Sequence, residues 1–190
     1  MARKLRIQYP GAIYHLMNRG DHQERIFLND HDRERFLATL DESCQKTGWQ
    51  VHAYCLMSNH FHLVIETPSS NLVEGMKWLL GVYTRRFNLR HKVFGHLFSG
   101  RYKALIVDGS GSGYLKTVCD YVHLNPARAG LLRPEEPLQS YRSYPLYVVR
   151  ERAQAGVAAS GPTIGRVGAA LGSPWSWPAV CGLDGGATAR

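Results

Sequence analysis

The sequence predicts an α+β domain of the ferredoxin-like kind: a β-α-β-β-α-β chain making one sheet, both helices on one face, and an added helix on the open face. Three observations predict it. Apolar or alternating runs suited to strands stand at 12–19, 49–57, 60–67 and 101–108, and the middle two are separated only by Ser58-Asn59. Between the outer pairs of runs, apolar residues recur at helical spacing. After the fourth run, Gly109-Ser-Gly-Ser-Gly113 leads into a third helical pattern.

Taken in order, Ala12 to Arg19 is short and apolar through its middle, as a central strand should be, and Gly20-Asp21 closes it with a turn signal. Asp30 is placed to cap a helix whose buried stripe is Phe36, Leu37, Leu40 and Cys44, with Arg33, Glu34, Asp41 and Glu42 on its wet side and Gly48 as its stop. The run from Trp49 to Met57 and the run from His60 to Thr67 form a hairpin, which Pro68 ends because it has no N–H to donate. Asn71 and Glu74 are spaced as a capping pair for a second helix, with Val73, Met76, Leu79, Leu80, Tyr83 and Phe87 as its stripe. Gly75 and Gly81 weaken that helix by their conformational freedom. Arg101 to Asp108 supplies the fourth strand, and Tyr114 to Asn125 the added helix, with Leu115, Val118, Cys119 and Val122 as its apolar side.

At 190 residues the chain supports one well-buried core with some length to spare. Residues 1–147 form the expected domain. Residues 148–190, dominated by alanine and glycine and holding Trp175 and Trp177, read as a disordered tail or a covering arm. A formal charge of +8 favours a polyanionic partner. No sustained apolar stretch follows the basic amino terminus, which argues against a secretory signal or a membrane span. Cys44, Cys55, Cys119 and Cys181 lack any paired-ligand spacing, which suits reduced thiols in a cytoplasm.

The candidate chemistry centres on His60-Phe61-His62. Alternation along a strand puts the two imidazoles on one face and Phe61, Leu63 and Ile65 on the other, so one strand can offer two ligands to one metal ion. The added helix, packed on the same face, brings Tyr121 over them, with Asn125 one turn along. Asn125 also reads simply as the cap of a single turn, Asn125-Pro126 to Gly130. From Glu74 to Asp108 there is no acidic residue between the ends, while Lys77, Arg85, Arg86, Arg90, Lys92, Arg101 and Lys103 fall inside, interleaved with aromatics. Cations for phosphates and rings for bases are what single-strand binding needs.

These residues resemble the single-tyrosine transposases of the His-hydrophobic-His superfamily, and most closely the REP-associated tyrosine transposases. The likeness rests on Asn18-Arg-Gly20, on Ala53 to Leu63, on Gly100-Arg-Tyr-Lys103 and on Tyr121 to Leu131, and it covers about Tyr9 to Tyr147. It implies His60 and His62 as metal ligands and Tyr121 as nucleophile. Asn125 sits where insertion-sequence relatives place a polar third ligand, usually glutamine. The resemblance further implies Mg²⁺ or Mn²⁺ as cofactor and REP-like single-stranded DNA hairpins as partner. The reaction would be cleavage and rejoining of strands through a 5′-phosphotyrosine, by a monomer or homodimer at the bacterial nucleoid. DNA contacts are expected from Arg19, Arg85, Arg86, Arg90, Lys92, Arg101, Lys103 and Arg128, and from His15. Tyr114 is a rival nucleophile. Two other readings compete: a catalytically silent ferredoxin-like single-stranded nucleic-acid-binding protein, and a metal-binding regulator without a covalent step.

Overall fold

The computed structural model describes residues 5–111 and 113–132. The expected tail and the domain boundary at 147 lie outside the described residues. Four strands, β1 (Ala12–Arg19), β2 (Gln50–Met57), β3 (His60–Thr67) and β4 (Lys103–Val107), form one sheet in the order β2-β3-β1-β4 with every neighbouring pair antiparallel. This is the ferredoxin-like order, with β1 and β3 side by side in the middle. The helices α1 (Asp30–Thr47) and α2 (Leu72–His91) pack against each other over one face. On the other face lies α3 (Tyr114–His123), followed by the single turn α4 (Asn125–Arg128). No helix among the described residues is long and apolar enough to cross a membrane.

Strand alternation sorts the interior into two clusters. Tyr14, Leu16, Phe61, Leu63 and Ile65 point towards α1 and α2, where Phe36, Leu40, Met76, Leu79 and Tyr83 complete the larger cluster. Ile13, Ala53, Cys55, Val64 and Val107 point the other way and meet Cys119 and Val122 of α3, with Leu115 and Val118 partly covered beside them. Both clusters gain from removing apolar surface from water, so the apolar stripe of α3 is what seats it on the sheet.

Several local expectations need correction. The cap of α1 is Asn29 and not Asp30: Asn29 accepts from the Asp32 backbone N–H, and the Asp32 carboxylate accepts from that of Asn29, closing a reciprocal capping box. Gly48 ends the helix as expected, at φ 74°. Asn71 precedes α2 but makes no side-chain cap. Its amide is committed elsewhere, accepting from Trp49 Nε1 at 2.8 Å and donating to the Thr47 carbonyl at 2.8 Å. The stripe of α2 starts at Leu72, and Val73 is 43% exposed. Gly75 is a packing requirement, since a Cβ there would stand 2.1 Å from Trp49 Cζ2. The fourth strand starts at Lys103, so Arg101 and Tyr102 precede it. The added helix ends at His123, and Asn125 is the first residue of α4, with Leu124 at its cap.

Candidate active site

The site is built at the end of the sheet where β1 finishes and β3 begins. In the β1–β3 register Arg19 faces His60 and Met17 faces His62, so these four side chains share the face covered by α3. The imidazoles of His60 and His62 have ring centroids 5.2 Å apart and stand nearly perpendicular. Tyr121 comes down on them from α3, its ring 6.3 Å from that of His62, and remains 41% exposed. A cleft is lined by Met17, Asn18, Arg19, His60, His62, Ser99, Arg101, Lys103, Tyr121 and Asn125. Two imidazoles, a phenol, two amides and three cations thus converge in one place.

Burial sets the charge state of the histidines. Desolvation lowers the pKa of His60, and the nearby Arg19 lowers it further. His62 is pushed down to about 3, first by desolvation and then by the charges His15 and His60 would carry. Both rings are therefore neutral at pH 7, the form in which imidazole binds a metal. Each also has its Nδ1 engaged from outside the cleft. His60 Nδ1 lies 2.7 Å from Asn59 Oδ1, and Asn59 in turn donates from Nδ2 to the Gln23 carbonyl at 3.2 Å. His62 Nδ1 lies 3.0 Å from His15 Nε2. An outer partner at one ring nitrogen is the arrangement found around metal-ligating histidines. Asn125 donates from Nδ2 to the carbonyls of Tyr121 and Val122, so Oδ1 is the end of its amide that could meet a ligand. Among the described residues no group of three His, Cys, Asp or Glu is placed to hold a metal ion, so the candidate donor set is two imidazole nitrogens and the amide oxygen of Asn125. That set fits a divalent ion that keeps several coordination positions for water or phosphate, and its nitrogen content suits Mn²⁺ better than Mg²⁺.

The expected cationic residues divide between two places. Arg19, Arg101 and Lys103 line the cleft, and the Arg128 guanidinium lies 5.0 Å from the centre of the Tyr121 ring. Arg85, Arg86, Arg90 and Lys92 belong to α2 and its C-cap, on the helical face of the sheet. Arg86 there makes a two-pronged ion pair with Glu42 at 2.8 and 3.0 Å and also donates to Thr39, while Arg90 approaches Asp32 at 3.4 Å. His15, expected to reach DNA, is only 6% exposed and is instead stacked on His62. Tyr114 begins α3, seven positions before Tyr121, and lines no part of the cleft. Ser99, Asn59 and Met17 were not anticipated at the site. Asn59 carried a signal, since a turn residue directly before His60 is within reach of its ring. Ser99 carried none, because its place follows from the Phe98–Gly20 bridge between distant segments.

The chain matches the family model described as transposase, IS200-like, over residues 8–125. No curated protein matches it. Among solved structures, a REP-associated tyrosine transposase bound to a REP hairpin aligns with a TM-score of 0.57 at 11% identity, over 87% of this chain and 100% of that one. A Deinococcus radiodurans R1 protein assigned as a transposase aligns with a TM-score of 0.44 at 18% identity, over 63% and 97% of the two chains. The first of these likenesses supports the fold.

Proposed function

Since the chain belongs to the IS200-like transposase family, we propose that it is a metal-dependent single-stranded DNA transposase and endonuclease that cuts and rejoins strands at REP-like palindromic hairpins through Tyr121. The observation that carries this reading is the convergence of Tyr121 with the neutral pair His60 and His62 in a cleft lined by Arg19, Arg101 and Lys103.

In the forward step the Tyr121 oxygen attacks the scissile phosphorus. The bond from phosphorus to the 3′ oxygen breaks, leaving a 5′-phosphotyrosine and a free 3′-hydroxyl. The phenol gives its proton to solvent and the departing 3′ oxygen takes one up, so the step is balanced and needs no nucleotide cofactor. Reversal by an incoming 3′-hydroxyl rejoins a strand and restores the phenol. His60 and His62, with Asn125 Oδ1 as the candidate third donor, would hold Mg²⁺ or Mn²⁺, which supplies charge stabilisation and in-line orientation of the phosphate. Arg101 and Lys103 neutralise the flanking phosphates, and Arg19 beside His60 does the same nearest the reacting group. The packing of Cys119 and Val122 against the sheet seats Tyr121 over the histidine pair while its side chain stays partly exposed.

The test is a denaturing gel with an end-labelled hairpin oligonucleotide and Mn²⁺. Wild-type protein should carry the label covalently, and the adduct should be absent with Tyr121→Phe, with His60→Ala and in EDTA, while Tyr121→Phe still binds the hairpin. Tight binding with no adduct from wild-type protein on any palindrome tried would instead favour the silent binding module.

A further inference from the structure

We infer that His15 is a positioning residue of this site: its Nε2 accepts the Nδ1–H of His62 and so fixes that imidazole in the tautomer whose Nε2 keeps its lone pair for a ligand. The inference rests on the reading of His62 as a metal ligand.

His15 lies on β1, two positions from Met17, and Met17 faces His62 across the β1–β3 pairing. The two imidazoles are stacked at 5.2 Å between centroids and 26° between planes, with Nε2 of one 3.0 Å from Nδ1 of the other. Two neutral imidazoles at that distance share one proton-bearing nitrogen and one lone pair, so exactly two arrangements exist. In one, His15 donates and His62 carries its proton on Nε2, where it blocks coordination. In the other, His62 donates from Nδ1 and His15 carries its own proton on its remaining nitrogen.

Electrostatics selects the second. His62 is among the residues that line the cleft and His15 is not, although the two are about equally buried, at 5% and 6% exposed. With Nδ1 tied back to His15, the opposite edge of the His62 ring faces the cleft that Arg19, Arg101 and Lys103 line. Surrounding cations favour a lone pair over an N–H dipole pointing at them. His60 follows the same pattern, because Asn59 Oδ1 can only accept and therefore requires a proton on His60 Nδ1. The His15 ring also stands edge-on to Tyr121 at 5.9 Å, so it touches both the metal-binding ring and the nucleophile's ring from behind.

The experiment is long-range ¹⁵N imidazole spectroscopy on the metal-free full chain at pH 7.5, paired with Mn²⁺ titration followed by electron paramagnetic resonance. Wild-type His62 should show a protonated Nδ1 and an unprotonated Nε2. His15→Phe keeps a ring against His62 and Tyr121 but offers no acceptor. In it the His62 tautomers should become mixed and Mn²⁺ affinity should fall by about 10–100-fold, the usual effect of removing an outer-shell partner. His15→Gln returns an acceptor oxygen and should restore both to within a few-fold. The inference is overturned if wild-type His62 carries its proton on Nε2, or if a folded His15→Phe protein keeps both the tautomer and the affinity. If wild-type protein binds no Mn²⁺, the ligand reading fails by itself, and the spectrum of wild-type His62 decides the role of His15. That spectrum also decides it if His15→Phe does not fold.

Discussion

Two glycines in α2 answer the same substitution in opposite ways. At Gly75 a Cβ would meet Trp49 at 2.1, 2.5 and 2.9 Å, whereas at Gly81 nothing lies within 4 Å. Alanine is the better helix former by about 1 kcal/mol, so Gly81→Ala should stabilise the protein by about 0.5–1 kcal/mol. Gly75→Ala gains the same intrinsic term and then has to displace an indole. An ordinary carbon contact of about 3.5 Å asks the ring to retreat by roughly 1.5 Å. Trp49 cannot retreat freely, because it is 1% exposed and its Nε1 is bonded to Asn71, which also holds the Thr47 carbonyl. Overpacking of this kind costs about 1–3 kcal/mol, and each strained hydrogen bond adds about 1 kcal/mol. The net for Gly75→Ala is a loss of about 1–3 kcal/mol, so the two variants should differ by about 2–4 kcal/mol. Urea unfolding followed by far-ultraviolet circular dichroism measures both. A Gly75→Ala protein as stable as Gly81→Ala would refute the packing argument.

The two groups of cations should separate in binding assays. Arg101→Ala should weaken hairpin binding and reduce the slope of log affinity against log salt by about 1, while Arg86→Met should leave the slope unchanged, because that side chain is spent on Glu42; equal effects would show that DNA also reaches the helical face. Arg86→Met should lower stability by no more than about 1 kcal/mol, since the pair it breaks is partly exposed. Burial pushes the Cys55 thiol up from 9.0 to about 12. The unfolded chain then loses this proton at lower pH than the folded one, so stability is intact below pH 9 and declines between pH 9 and 12. Cys55 contributes up to about 4 kcal/mol of that decline. Urea unfolding at pH 7.5, 9.5 and 10.5 should show a shallower fall for Cys55→Ala, and parallel curves would contradict the assignment.

Most of the architecture was readable because it depends on periodicity. The alternation in His60–Thr67 assigns each side chain to a face without knowledge of any partner, and the two-residue turn at Ser58-Asn59 leaves little choice of pairing. The stripe Cys119 and Val122 likewise required that α3 be laid on something apolar. What escaped depends on contacts between distant segments. Asn71 looks like a cap to any local rule, yet Trp49, 22 residues away, takes its oxygen. Gly75 looks like a weakness until the indole beside it is known. His15 is one more polar residue in a strand until the register brings it beside His62. The basic window from 74 to 108 is divided by the fold in a way that charge composition, being one-dimensional, does not show: α2 covers one face of the sheet, while Lys103 of β4 lines the cleft on the other.

The two apolar clusters on either side of the sheet are unequal in size, and this gives the molecule two different free energies of opening. The strands and the pair α1 and α2 share the larger cluster, so they unfold together. The segment bearing Tyr121 is held by Cys119, Val122 and the partly covered Leu115 and Val118, and Gly111 and Gly113 precede it at φ 87° and 79°. Detaching it exposes far less apolar surface than global unfolding does, so its amides should exchange with solvent through a cheaper, separate event. The helix carrying Tyr121 can therefore leave and return while His60 and His62 keep their geometry, and under the proposed reaction this would let a strand joined to Tyr121 swing between two partners while the histidine pair stays intact.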